Sequence, residues 1–71
     1  MSSKAISLVL NGKPRSLVSE TPLPQLLEEL GIDRRLVAVA HNGDVIPRDQ
    51  YESVVLHDGD RVEIVRMVGG G

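Results

Sequence analysis

The sequence predicts an α+β fold, a two-layer roll in which a mixed sheet of four to five strands carries one main helix packed on one face. Three observations lead there. Apolar residues alternate near the start, at Ile6, Leu8 and Leu10, and again near the end, at Val62 and Ile64; a period of two marks half-buried strands. Between these ends, one stretch, 21–31, repeats leucine at helical spacing. The rest is short extended segments broken by Asn-Gly and Asp-Gly pairs, which favour tight turns.

Each element can be justified in turn. Ile6–Leu10 is the first strand, and Asn11-Gly12 comes directly after it. A type I′ turn needs φ > 0 at both central positions, which Asn-Gly tolerates best, so a hairpin into Lys13–Val18 is predicted. Pro14 cannot donate to a ladder, which puts that second strand at an edge. In TPLPQLLEELG, Thr21 is the expected helix cap and Pro22 the first helical residue, with Pro24 still inside the first turn. Leu23, Leu26, Leu27 and Leu30 then form one apolar stripe, and Gly31 ends the helix. Leu36–His41 is a strand closed by Asn42-Gly43, Val45-Ile46 a short one, and Pro47–Tyr51 a helical turn. Val54–Leu56 is extended, Asp58-Gly59 turns, and Arg61–Met67 is the last strand.

A helix after a hairpin can carry the chain across one sheet face, so that the last strand lies parallel to the first in the sheet centre with a right-handed crossover. That order is the β-grasp, or ubiquitin-like, arrangement. The 71 residues leave room for one domain, 1–71, with 69–71 as a flexible glycine tail. With no Trp or Phe and a single Tyr, Tyr51, the core is expected to be aliphatic.

Composition narrows the function. A net charge of −2 argues against a phosphate-backbone binder, which carries a basic patch with stacking aromatics. There is no cysteine, hence no disulfide, thiolate metal site or cysteine nucleophile. No stretch approaches the ~18 apolar residues of a membrane span, and the start lacks a signal-peptide core. A cytoplasmic protein with neither nucleic-acid nor membrane partners is the expectation.

Side-chain chemistry is sparse. His41 and His57 lack metal-ligand spacing and read as strand-end surface residues, so no metal site is assigned. Glu28 and Glu29 are adjacent on a helix and point about 100° apart. Asp58-Gly59-Asp60 lacks the longer ligand run of a calcium loop and reads as a turn. No phosphate-binding loop or nucleophile elbow appears. The chain is therefore not expected to be an enzyme acting alone, and no catalytic residue or bound cofactor is assigned.

The most informative segment is Gly69-Gly70-Gly71, three glycines running straight on from a strand. Without Cβ atoms such a segment fits a channel barely wider than backbone. Three extended residues reach roughly 10 Å. The domain then acts as a handle, and the reactive group is the α-carboxylate of Gly71, with Gly69 and Gly70 as the threading tail. A carboxylate is a poor electrophile. An enzyme with ATP can convert it to an acyl-adenylate, and sulfur transfer would give a thiocarboxylate. On the last strand, Val65 and Met67 should face away from the helix beside this tail, as a docking patch for the partner.

The segments LVLNG at 8–12, LPQLLEELGI at 23–32, VAVAHNGDVIPRDQY at 37–51 and HDGDRVEIVRMVGGG at 57–71 together resemble the ThiS family of sulfur carriers in thiamine thiazole biosynthesis. The resemblance covers essentially the whole chain and rests on the order and spacing of these segments. It implies a β-grasp fold and adenylation of Gly71 by a ThiF-like activating enzyme that uses ATP. It further implies a Gly71 thiocarboxylate charged from a sulfur donor enzyme, and delivery to a ThiG-like thiazole synthase. Two alternatives stand beside it: a MoaD-like sulfur carrier subunit of molybdopterin synthase, and a ubiquitin-like binding module or conjugation tag.

Overall fold

A computed structural model of the protein describes residues 5–67. Its main sheet contains the strands β1 (Ile6–Leu10), β2 (Lys13–Leu17), β4 (Val37–His41), β5 (Asp44–Val45) and β7 (Arg61–Arg66). Across the sheet these five lie in the order β2-β1-β7-β4-β5. The helix α1 (Leu23–Glu29) packs on one face, and β3 (Thr21–Pro22) with β6 (Val55–Leu56) makes a separate two-stranded ladder. The last strand lies parallel to β1 and antiparallel to β4, in the centre of the sheet. This is the β-grasp arrangement.

Local chemistry explains the elements. Asn11 and Gly12 sit at φ 50 and 81, the left-handed pair that closes the β1–β2 hairpin. Within that hairpin Ile6 pairs with Leu17 and Leu8 with Arg15. Pro14 lies on β2, at the sheet edge where its missing N–H costs no ladder bond. The end of α1 is a Schellman motif: Ile32 N–H donates to the Leu27 carbonyl and Gly31 N–H to that of Glu28. Gly31, at φ 71, adopts the left-handed conformation this motif needs.

The start of the helix differs from the expectation. Thr21 does not cap it, and Pro22 stands one residue before the first helical position. Thr21 is extended opposite Leu56, nearly buried, and its hydroxyl donates to the Ser19 carbonyl. The ladder with β6 and the Leu23 N–H bond to the Val54 carbonyl hold this stretch extended. Pro22 enforces the same choice, because the residue before a proline avoids the helical region. Leu36 likewise belongs to a 3₁₀ turn, Arg34–Leu36, and the short strand β5 takes Asp44 rather than Ile46.

The core is Ile6, Leu8, Leu17, Leu23, Leu26, Leu27, Val37, Val39, Leu56 and Val62, with Tyr51 among them. It is therefore not purely aliphatic, as composition suggested. Tyr51 belongs to a second 3₁₀ turn, Arg48–Ser53, and is 1% exposed. The Arg34 guanidinium lies 5.3 Å from its ring centroid and forks onto Glu52, at 2.7 and 3.1 Å. A short turn places its ring where no periodicity announces it.

A polar clasp fixes the start of β7. Asp60 Oδ2 lies 2.7 Å from His41 Nε2 and accepts the His57 N–H, while Asp60 Oδ1 accepts from the Asn42 amide. Asn42 in turn accepts the Arg61 N–H, and Asp58 accepts the Ser7 N–H. His41 is thus a structural partner at the end of β4, not a loose surface side chain, whereas the His57 side chain is 55% exposed. Both aspartates of the Asp-Gly-Asp turn serve as backbone acceptors. Burial alone would raise the Asp60 pKa, but the hydrogen bonds from His41, the His57 N–H and Asn42 outweigh it and hold it below the ordinary value. Among the described residues, no helix is long and apolar enough to cross a membrane.

Two outcomes test this packing. Tyr51→Ala should destabilise the fold by about 3–5 kcal/mol. Tyr51→Phe should cost less than about 1 kcal/mol, since the hydroxyl bond to the Val37 carbonyl is long at 3.5 Å. Denaturant melts check both. Because the folded pKa of Asp60 is depressed, its stabilisation is fully present above the unfolded value of about 3.9 and is lost as pH falls through the folded one. Asp60→Asn should cost about 1–2 kcal/mol at neutral pH and flatten the acid limb of the stability curve. An unchanged limb would assign the acid sensitivity to other carboxylates.

Candidate functional site

The site predicted from sequence is the end of β7 together with the glycine tail. Gly69, Gly70 and Gly71 lie outside the described residues. The structure defines their base. Odd-numbered residues of β7 bond to the neighbouring β4 side: Met67 N–H donates to the Leu36 carbonyl, and the Arg61 carbonyl accepts the Asn42 N–H, both at 2.8 Å. The backbone is therefore held in the sheet as far as Met67.

The two faces of β7 differ sharply. Val62 is fully buried and Ile64 half-buried against the helix side, opposite His41 and Val39. Val65 and Met67 point the other way, 61% and 47% exposed. That is the placement their spacing predicts. Ala38 lies directly opposite Val65, and Leu36, whose carbonyl takes the Met67 N–H, is 53% exposed. Together Leu36, Ala38, Val65 and Met67 make an apolar surface at the base of the tail. Glu63, opposite Ala40, bounds it toward the start of the strand.

Sequence reasoning missed Leu36. Its alternation with Ala38 was available, but that it meets Met67 depends on the β4–β7 register, which no local pattern reveals. The charged groups nearby are mostly engaged. Asp33 accepts from the backbone and side chain of Arg35, and this holds its carboxyl down to about 2. The hydrogen bonds from Arg34 lower the Glu52 pKa. Among the described residues, no group of three or more His, Cys, Asp or Glu could hold a metal ion. His41 and Asp60 stand at the opposite end of β7 from the tail, so the clasp and the apolar surface are not brought together.

An apolar, hydrogen-bonded platform can offer a partner a dry contact. Leu36, Ala38, Val65 and Met67 themselves carry no acid, base or nucleophile.

Comparison with known proteins agrees with this geometry. The model of the ThiS family matches residues 8–71. The sulfur carrier protein ThiS of Thermus thermophilus is 40% identical over 62 residues, covering 87% of this chain and 95% of that protein. A thiazole synthase of Paramagnetospirillum magneticum is 42% identical over 66 residues, but this chain spans only 20% of its length. The crystal structure of the thiamine biosynthesis protein ThiS from Geobacter metallireducens matches with a TM-score of 0.81 at 32% identity, covering 93% of this chain and 100% of that one. With the fold, the length and the matched segment in agreement, the chain belongs to the ThiS family.

Proposed function

We propose that this protein is a sulfur carrier for thiamine thiazole synthesis. Its reactive group is the Gly71 α-carboxylate. On a ThiF-like enzyme that carboxylate attacks the α-phosphate of ATP, releasing pyrophosphate and leaving an acyl-adenylate. A sulfide equivalent from a sulfur donor enzyme then displaces AMP, and the thiocarboxylate holds sulfur without releasing it. A ThiG-like thiazole synthase receives the sulfur. These steps consume ATP and belong to the cytoplasm.

The observation that carries the reading is the family match running to Gly71 on a domain whose last strand sits at the sheet centre. The strand below the tail is held in the sheet as far as Met67, and the partner supplies positioning and charge stabilisation. Gly69 and Gly70 present no side chain to the walls of a narrow channel. A thiazole synthase that contains a segment 42% identical to this chain supports that enzyme class as the acceptor. The apolar surface of Val65 and Met67 is the docking patch, since exposed aliphatic groups gain from being covered by a partner.

Two measurements test this. Incubation with a ThiF-type enzyme and ATP should release pyrophosphate, and release should disappear when Gly71 is removed; undiminished release would end the proposal. Val65→Asp, at a position 61% exposed, should leave stability within about 0.5 kcal/mol and slow adenylation by about ten-fold. An unchanged rate would take Val65 out of the docking surface.

A further inference from the structure

Beside the base of the tail the sheet has a step. Even-numbered residues of β7 face β1: the Val62 carbonyl accepts the Asn11 N–H, at 2.9 Å. One residue later the Asn11-Gly12 turn leads β1 away, and the Asn11 side chain supplies the next rung, its Oδ1 accepting the Ile64 N–H at 2.7 Å. Register then points the Ile64 carbonyl and the Arg66 N–H into the same lane, and neither has a hydrogen-bond partner among the described residues. Next to this lane lies a concavity of about 330 Å³ lined by Leu10, Leu30, Ile32, Val37 and Ile64, with Arg66 also on its wall. No carboxylate among the described residues lies within ion-pair distance of Arg66, whereas Arg34 and Arg35 each have one.

The outer edges of the sheet are unsuited to strand addition. On β2, Pro14 lacks an N–H and stands between Lys13 and Arg15. On the far side, β5 is two residues long and Pro47 comes soon after. Proline, like charge and brevity, blunts an edge. The step contains no proline, it lies on the six-residue strand β7, and its one charge is a cation at the rim of an apolar hollow.

We infer that this step receives an extended segment of the adenylating enzyme, added as a short strand along Ile64–Arg66, with an aliphatic side chain in the concavity and a carboxylate on Arg66. Main-chain bonds to Ile64 and Arg66 would supply the pairing, and the hollow and the guanidinium would select the side chains. Such a strand would lie in the sheet plane, so it would hold the root of the tail while Val65 and Met67 are covered from the open face. This inference rests on the carrier reading, and the experiment separates the two.

The test is amide hydrogen exchange on ¹⁵N-labelled full-length protein, alone and bound to a ThiF-type enzyme with ATP, alongside pyrophosphate release. The expected result is a fall of about ten-fold or more in the Arg66 amide exchange rate on binding, with an NOE from that amide to an α-proton of the enzyme. Arg66→Gln should weaken the complex about five-fold. Pyrophosphate release with an Arg66 amide that exchanges as freely as before would overturn the strand and leave the carrier standing. Absence of both binding and release would overturn the two together. Protection that appears in the free protein and grows with its concentration would assign the lane to a second copy, and that too would overturn the proposal.

Discussion

The parallel pairing of β1 and β7 is the constraint on which the rest of the structure depends. Parallel neighbours cannot be joined by a tight turn, so the chain between them must leave the sheet and return. Here that return includes the hairpin strand β2, the helix α1 and the β4–β5 hairpin, and it places β4 on the side of β7 away from β1. One consequence is mechanical. Because β7 is hydrogen-bonded to β1 near its start and to β4 along its length, its backbone is held in the sheet as far as Met67. The segment beyond Met67 thus starts from a fixed base, as the proposed carrier role requires.

Burial reinforces this division of labour. Val62, with no exposed surface, and Val39 beside Ile64 hold β7 to the helix layer through aliphatic contact, while the opposite face of the same strand stays exposed at Val65 and Met67. A strand's alternation gives one segment both a buried face and an open one. The polar clasp of Asp60, His41 and Asn42 fixes the other end of β7, far from the tail, where the strand enters the sheet. The polar clasp, the buried contacts and the open apolar face are therefore separated along a single strand as well as across it.

A feature is legible in the sequence to the extent that it is local. The Asn11-Gly12 hairpin, the Leu23–Leu30 stripe with its Gly31 stop and the two faces of β7 arise from turn chemistry and period alone, and all appear where those rules put them. Thr21 escapes those rules because β3 and β6 are two residues each, too short for any period, and their pairing joins segments far apart in the chain. Tyr51 reads only as a turn residue, since a 3₁₀ turn shows no apolar stripe that would bring its ring into the core. The His41–Asp60 contact spans 19 positions and Leu36 meets Met67 only through the strand register; both are tertiary facts. The terminal glycines are the reverse case: legible as composition and placement, and lying beyond the residues the structure describes.

In the proposed function the chain acts through its last main-chain carboxylate. Intact-mass spectrometry of the protein taken from its native cell under thiamine starvation tests this most directly. A carrier should show a population in which one oxygen of the Gly71 carboxylate is replaced by sulfur. A lysine adduct at Gly71, or a terminus that stays unmodified while thiamine is being made, would contradict it.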